Sequence, residues 1–83
     1  MKYEEFEMTL MLMGAVVTHT ASTSMHHINV FKLKGKVREY WVRVRRPKYT
    51  DNVHIYINSN PVSAFPGKEY TRALELINQK LNK

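Results

Sequence analysis

The sequence predicts an α+β fold in the order α-β-β-β-α, in which three strands form an antiparallel meander and both helices pack on one face of it. Two patterns predict this class. Apolar residues recur every three or four positions near both ends of the chain, and at every second position between residues 28 and 57. The length of 83 residues and the hydrophobic fraction of 43% predict a single small domain over residues 1–83.

The first segment has two interpretations, of which a helix is the one we favour. An apolar stripe at helical spacing predicts a helix that ends near Gly14 or a turn beyond it, and acidic residues in its first turn suit the positive end of the helix dipole. The stripe consists of Tyr3, Phe6, Leu10, Met13 and Val17. Alternation over residues 8–12 and the β character of residues 15–18 leave a strand as the alternative. Residues 18–27, rich in Thr, Ser and His, are predicted as a loop.

Three strands are predicted between residues 28 and 57. A turn at Gly35 and Lys36 separates the first two, and Pro47 ends the second because proline cannot donate a hydrogen bond to a sheet. The polar residues 58–61 end the third. Alternation assigns eight side chains to the buried face: Phe31, Leu33, Tyr40, Val42, Val44, Val53, Ile55 and Ile57.

The last element is predicted as a helix that opens at Pro66, where a missing N–H is tolerated. Lys80 and Lys83 lie in its last turn, at the negative end of the dipole. Its apolar stripe consists of Tyr70, Ala73, Leu74, Ile77 and Leu81.

Charge is concentrated in the middle of the chain. The net charge is +6, from 13 Lys and Arg against 7 Asp and Glu, but residues 32–50 alone hold eight Lys or Arg and one Glu. A local cationic block of this kind indicates an anionic partner.

Strand alternation places much of this block on the face of the sheet away from the helices. We predict that this face presents four cations, three aromatic rings and no carboxylate: Lys32, Lys34, Trp41, Arg43, Arg45, His54 and Tyr56. Arg46 and Lys48 extend the basic strip into the following loop. Lys and Arg neutralise phosphates and aromatic rings stack on bases, so these nine residues form the predicted nucleic-acid-binding site. The exposed face of any antiparallel sheet is also polar, so an ordinary solvated surface is the alternative.

Catalytic and metal-binding patterns are not evident. The chain has no Cys, its His residues lack the spacing of a helical metal motif, no base is paired with its Ser and Thr residues, and three Gly do not form a phosphate-binding loop. We therefore expect no enzyme activity, no metal and no cofactor. An acidic N-terminus and the absence of an apolar stretch of about 20 residues predict a soluble cytoplasmic protein without a membrane contact.

The expected function is nucleic-acid binding. The alternative is a protein-binding regulator or inhibitor, of the accessory type that viruses and mobile elements encode, whose basic and aromatic face docks on an acidic protein surface. A homodimer through a strand edge or the Met-rich first helix is a further possibility.

The predicted element order is similar to that of double-stranded-RNA-binding domains, in which a basic signature opens the last helix. Here that signature is reduced to Lys68 and Arg72. Residues 40–45 resemble a strand of the sheet modules that AP2-type and integrase arm-binding domains place in a DNA groove. These resemblances imply nucleic-acid binding and cover topology and a few residues only.

Overall fold

A computed structural model describes residues 2–50, 52–58, 60–66 and 70–82. These residues form seven elements: α1 (Tyr3–Leu12), β1 (Val16–Ser22), β2 (His26–Lys34), β3 (Glu39–Pro47), β4 (Asn52–Ile57), β5 (Asn60–Pro66) and α2 (Tyr70–Leu81). The five strands form one antiparallel sheet, in which each strand pairs with the next in chain order. The predicted α+β class and the meander are confirmed. The predicted number of three strands is wrong, because the sheet has a further strand on each side.

The first segment contains both a helix and a strand, the two alternatives that its sequence left open. α1 ends at Leu12, and Gly14 reverses the chain with a φ of 95°, a conformation that favours glycine. β1 begins two residues later, so the β character of residues 15–18 marks a strand. The loop predicted over residues 18–27 is wrong, since most of it belongs to β1 and β2. β1 lies at the sheet edge and is exposed at almost every position, and an exposed edge strand does not require the alternation that identifies a half-buried one.

The three predicted strands correspond to β2, β3 and β4. Gly35 makes the turn between β2 and β3, where its N–H donates to the carbonyl oxygen of Arg38 at 2.9 Å. A Cβ atom at Gly35 would lie 2.6 Å from the Tyr40 ring, so the ring packs against this turn. β3 ends at Pro47, as predicted.

The region after β4 differs from the prediction. Asn58 turns the chain with a φ of 50°, and β5 then pairs with β4 instead of continuing as a loop. Pro66 is the last residue of β5 and does not open α2, which begins at Tyr70. The Pro residues of β5 fit its place at the sheet edge, where an N–H on the outer side has no strand to bond to.

Both helices pack on one face of the sheet. All eight side chains predicted to face inward are buried, and they form one core with Tyr3, Phe6 and Leu10 of α1 and Tyr70, Ala73 and Ile77 of α2. The rings of Phe6 and Tyr70 join the helices, with their centroids 5.0 Å apart. α1 and α2 have 10 and 12 residues, and the part of the chain that the structure describes contains no helix long and apolar enough to cross a membrane.

Candidate nucleic-acid interface

The face of the sheet without helices is called the outer face here. On β2, β3 and β4 it includes His26, Ile28, Val30, Lys32, Lys34, Glu39, Trp41, Arg43, Arg45, Pro47, His54 and Tyr56. Directly paired residues of neighbouring strands share a face, and the register therefore brings together the seven residues that alternation predicted there. The rows across the strands are Lys32–Trp41, Val30–Arg43–Tyr56 and Ile28–Arg45–His54.

Cations and rings are paired on this face. The Arg43 guanidinium carbon lies 4.3 Å from the centre of the Tyr56 ring, and the Lys32 Nζ lies 5.8 Å from the centre of the Trp41 ring. Both distances are within the range of a cation–π interaction, which holds a long side chain over a ring. The surface is therefore partly ordered before any ligand binds.

Trp41 is held by the turn that follows β4. The Trp41 N–H donates to Oδ1 of Asn58 at 3.0 Å, and the Asn58 N–H donates to the carbonyl oxygen of Trp41 at 2.9 Å. The indole itself is 46% exposed, a large fraction for the largest apolar side chain. A rigid backbone thus carries an open ring onto which another planar group can stack.

Glu39 corrects the prediction that the outer face has no carboxylate. It lies opposite Lys34 in the register, and its Oε2 is 2.7 Å from Nζ of Lys32. The prediction began the strand at Tyr40, whereas β3 begins one residue earlier and extends the alternation to Glu39. Among the described residues, Lys34, Arg43 and Arg45 form no ion pair.

Arg46 does not belong to the outer face. β3 continues regularly through Pro47, so Arg46 points to the helix side, where its guanidinium carbon lies 3.5 Å from the centre of the Tyr3 ring. Its Nη2 donates to Oδ1 of Asn29 at 3.3 Å, and its buried Nε has no partner among the described residues. The predicted extension of the basic strip through Arg46 is therefore not what the structure shows.

Lys48 lies in the exposed loop after β3. Its backbone N–H donates to the carbonyl oxygen of Met25 at 2.8 Å, which ties this loop to the turn between β1 and β2. His54 and Tyr56 are half-buried on β4. Lys68, which was named with Arg72 in the resemblance to double-stranded-RNA-binding domains, lies outside the described residues.

Sequence reasoning missed a half-open cavity of about 510 Å³ at the β1 side of the outer face. Its lining includes His19 and Thr23, both in the segment predicted as a loop, together with His26, Arg43 and Arg45. Partial desolvation lowers the pKa of His26, and the neighbouring Arg45 and His54 lower it further. The β character of residues 15–18 was the signal that could have extended the sheet to His19.

The outer face thus combines four cations, the four aromatic rings of His26, Trp41, His54 and Tyr56, and a cavity, and neither α1 nor α2 covers it. No protein-family model, curated protein or solved structure matches this chain.

Proposed function

We propose that this protein binds single-stranded nucleic acid on its outer face. The observation that carries the proposal is the pairing of cations with rings there, above all Arg43 over Tyr56 and Lys32 beside the open Trp41. Guanidinium and ammonium groups neutralise phosphates, and an exposed indole stacks on a base of any identity. Together they suit a ligand that alternates negative charge with flat apolar rings.

A single strand fits this surface better than a duplex. Bases in a duplex are stacked on one another and cannot lie on Trp41, whereas the bases of a single strand can turn outward onto a ring. A sheet can also lie in a duplex groove, but the exposed ring of Trp41 has a base to stack on only where the bases are unpaired.

The proposal is tested by fluorescence anisotropy with a labelled single strand of about 15 nucleotides. We expect Arg43→Glu/Arg45→Glu to bind at least about tenfold more weakly than wild type, because phosphate contacts are lost and repulsion replaces them. The matched control is Arg72→Glu/Lys80→Glu, which changes the net charge equally but acts on exposed positions of α2. Equal loss in both variants, or no loss in the first, would contradict the proposal.

The same variants distinguish a protein partner. If the outer face docks on an acidic protein instead, pull-downs from nuclease-treated lysate retain a partner that Arg43→Glu/Arg45→Glu loses, while purified protein does not bind the oligonucleotide. If the outer face binds nucleic acid, nuclease treatment removes the captured material and the purified protein retains its affinity.

A further inference from the structure

The cavity at the β1 side of the outer face has an apolar base and a cationic rim. Ile28 and Val30 of β2 form the base. On one side, His19 of β1 is paired with Val30, and on the other, Arg43 and Arg45 of β3 are paired with Val30 and Ile28. Two strand spacings, about 10 Å, separate the backbones of His19 and Arg43, so their side chains rise from the same face of the sheet on either side of β2.

Thr23 closes one end of the cavity and His26 lies beside it. The Thr23 hydroxyl oxygen accepts the N–H of His26 at 2.9 Å and that of Met25 at 3.3 Å, so this hydroxyl holds the turn between β1 and β2. Thr23 therefore fixes the hairpin end of the cavity. The ionisable side chains that line the rest of it are His19, His26, Arg43 and Arg45, of which Arg43 also stacks on Tyr56.

We propose that this cavity binds the terminal phosphate of the nucleic-acid strand that lies on the outer face. The inference rests on the proposed function and names the part of the ligand that this end of the surface recognises. The lining residues that the structure describes include two arginines and two histidines and no carboxylate. Arg side chains make paired hydrogen bonds to phosphate oxygens, and imidazoles donate to further ones.

A terminal phosphate suits this group of residues better than an internal one. A phosphomonoester carries a charge of about −1.5 to −2 at neutral pH and three strongly accepting oxygens. An internal phosphodiester carries a single charge and two free oxygens. A single ammonium group, such as that of Lys32 or Lys34, can neutralise it. Four cationic or protonatable groups around one cavity match the doubly charged end of a strand.

The test compares three oligonucleotides of one sequence, which carry a 5′-phosphate, a 3′-phosphate or only hydroxyl ends. We expect one phosphorylated form to bind about five- to tenfold more tightly than the unphosphorylated strand. Preference for the 5′ or the 3′ form identifies the end that is held. Equal affinity for all three overturns this inference and leaves the proposed function standing, whereas no binding of any of them overturns the proposed function itself.

Variants locate the preference in the cavity. His19→Gln/His26→Gln is expected to abolish the preference, so that this variant binds the three oligonucleotides with equal affinity. His27→Gln is the matched control, because His27 is adjacent to His26 but pairs with Arg46 on the helix side. A preference that survives in the double variant, or disappears in the control, contradicts the assignment.

A spectroscopic measurement reports on the same contact. Within residues 2–50, 52–58, 60–66 and 70–82, the groups near His26 are His19 of β1, Arg45 of β3 and His54 of β4, and none of these is acidic. A phosphate in the cavity stabilises the imidazolium, so we expect the His26 pKa, followed by NMR titration, to rise with the preferred phosphorylated strand. An unchanged His26 pKa at saturation contradicts the proposed contact.

Discussion

Arg45 and Arg46 are neighbours in the chain with opposite environments. Arg45 lies in a row with Ile28 and His54 on the outer face. Arg46 stacks on Tyr3 and bonds to Asn29 on the helix side. The period of two in a strand is the reason, because a shift by one residue moves a side chain to the other face.

This difference predicts separate effects of two equivalent substitutions. We expect Arg45→Ala to weaken oligonucleotide binding several-fold and to change the free energy of unfolding by less than about 0.5 kcal/mol. Arg46→Ala should lower the free energy of unfolding by about 1–2 kcal/mol, because the ring contact and the bond to Asn29 are lost, and should leave affinity unchanged. Urea unfolding and anisotropy measure the two quantities. Exchanged effects would show that the register is wrong.

The hydroxyl of Tyr3 is a second informative group. Tyr3 is buried, and its Oη makes no hydrogen bond of good geometry among the described residues, although the Glu7 carboxylate lies near enough to raise its pKa. Since a buried hydroxyl without a partner is unfavourable, we expect Tyr3→Phe to raise the free energy of unfolding at neutral pH by about 1 kcal/mol. Destabilisation by Tyr3→Phe in urea unfolding would mean that the hydroxyl does have a partner.

Tyr3 also predicts a dependence of stability on alkaline pH. Burial and then the charge of Glu7 raise the pKa of Tyr3 well above its ordinary value of 10, although Arg46 opposes them. The folded state holds this proton more tightly than the unfolded state, so its contribution to stability is complete below pH 10 and is lost as the pH rises above it. Wild type should therefore lose stability above pH 10 more steeply than Tyr3→Phe. The decline should persist in part in the variant, because burial also raises the pKa of Tyr70.

At the scale of the elements, the connection from α1 to β1 depends on one glycine. Gly14 has a φ of 95°, and a Cβ atom there would meet no atom within 4 Å. A substitution at Gly14 therefore changes the energy of the backbone and not the packing.

We expect Gly14→Ala to lower the free energy of unfolding by about 1–2 kcal/mol through backbone strain alone. Gly14→Asn should cost less, because asparagine tolerates a positive φ better than alanine does. Urea unfolding of both variants checks the order. Equal stability of Gly14→Ala and wild type would contradict the backbone conformation.

The elements also show what kind of pattern predicts structure. α1, α2 and β2–β4 each bury one face, so their apolar residues recur with the period of the element, and all five were predicted. β1 is exposed at nearly every position, and no half-buried face imposes alternation on it. β1 was missed because it lacks such a pattern, and His19 and the cavity that it lines were missed with it.

At the scale of the whole molecule, the outer face determines how binding responds to salt. It carries four cations, Lys32, Lys34, Arg43 and Arg45, of which Lys32 is paired with Glu39. Each phosphate neutralised on a single strand contributes about 0.7 to the slope of log affinity against log salt. We expect a slope between about −2 and −3 for wild type, measured by anisotropy from low to physiological salt. A slope near zero would contradict binding through phosphates.

The variant Glu39→Gln tests how the carboxylate that pairs with Lys32 affects affinity and its dependence on salt. The substitution releases Lys32 and removes the carboxylate from the outer face. We expect the affinity for a single strand to rise several-fold and the slope to steepen by about 0.7. The Lys32–Glu39 pair is solvent-accessible, so the free energy of unfolding should change by less than about 1 kcal/mol. Weaker binding by Glu39→Gln would place the ligand elsewhere.

The sequence by itself determined the α+β class, both helices, the three central strands and the seven side chains that share the outer face, because each depends on periodicity within one element. The tertiary structure decided what depends on contacts between elements. Pairing to β2 and β4 makes strands of β1 and β5. Pairing of β3 with β2 from Glu39 to Pro47 places Glu39 on the outer face beside Lys32 and Arg46 on the helix side against Tyr3. Local patterns record which face a residue takes, whereas strand pairing determines which residues meet on it.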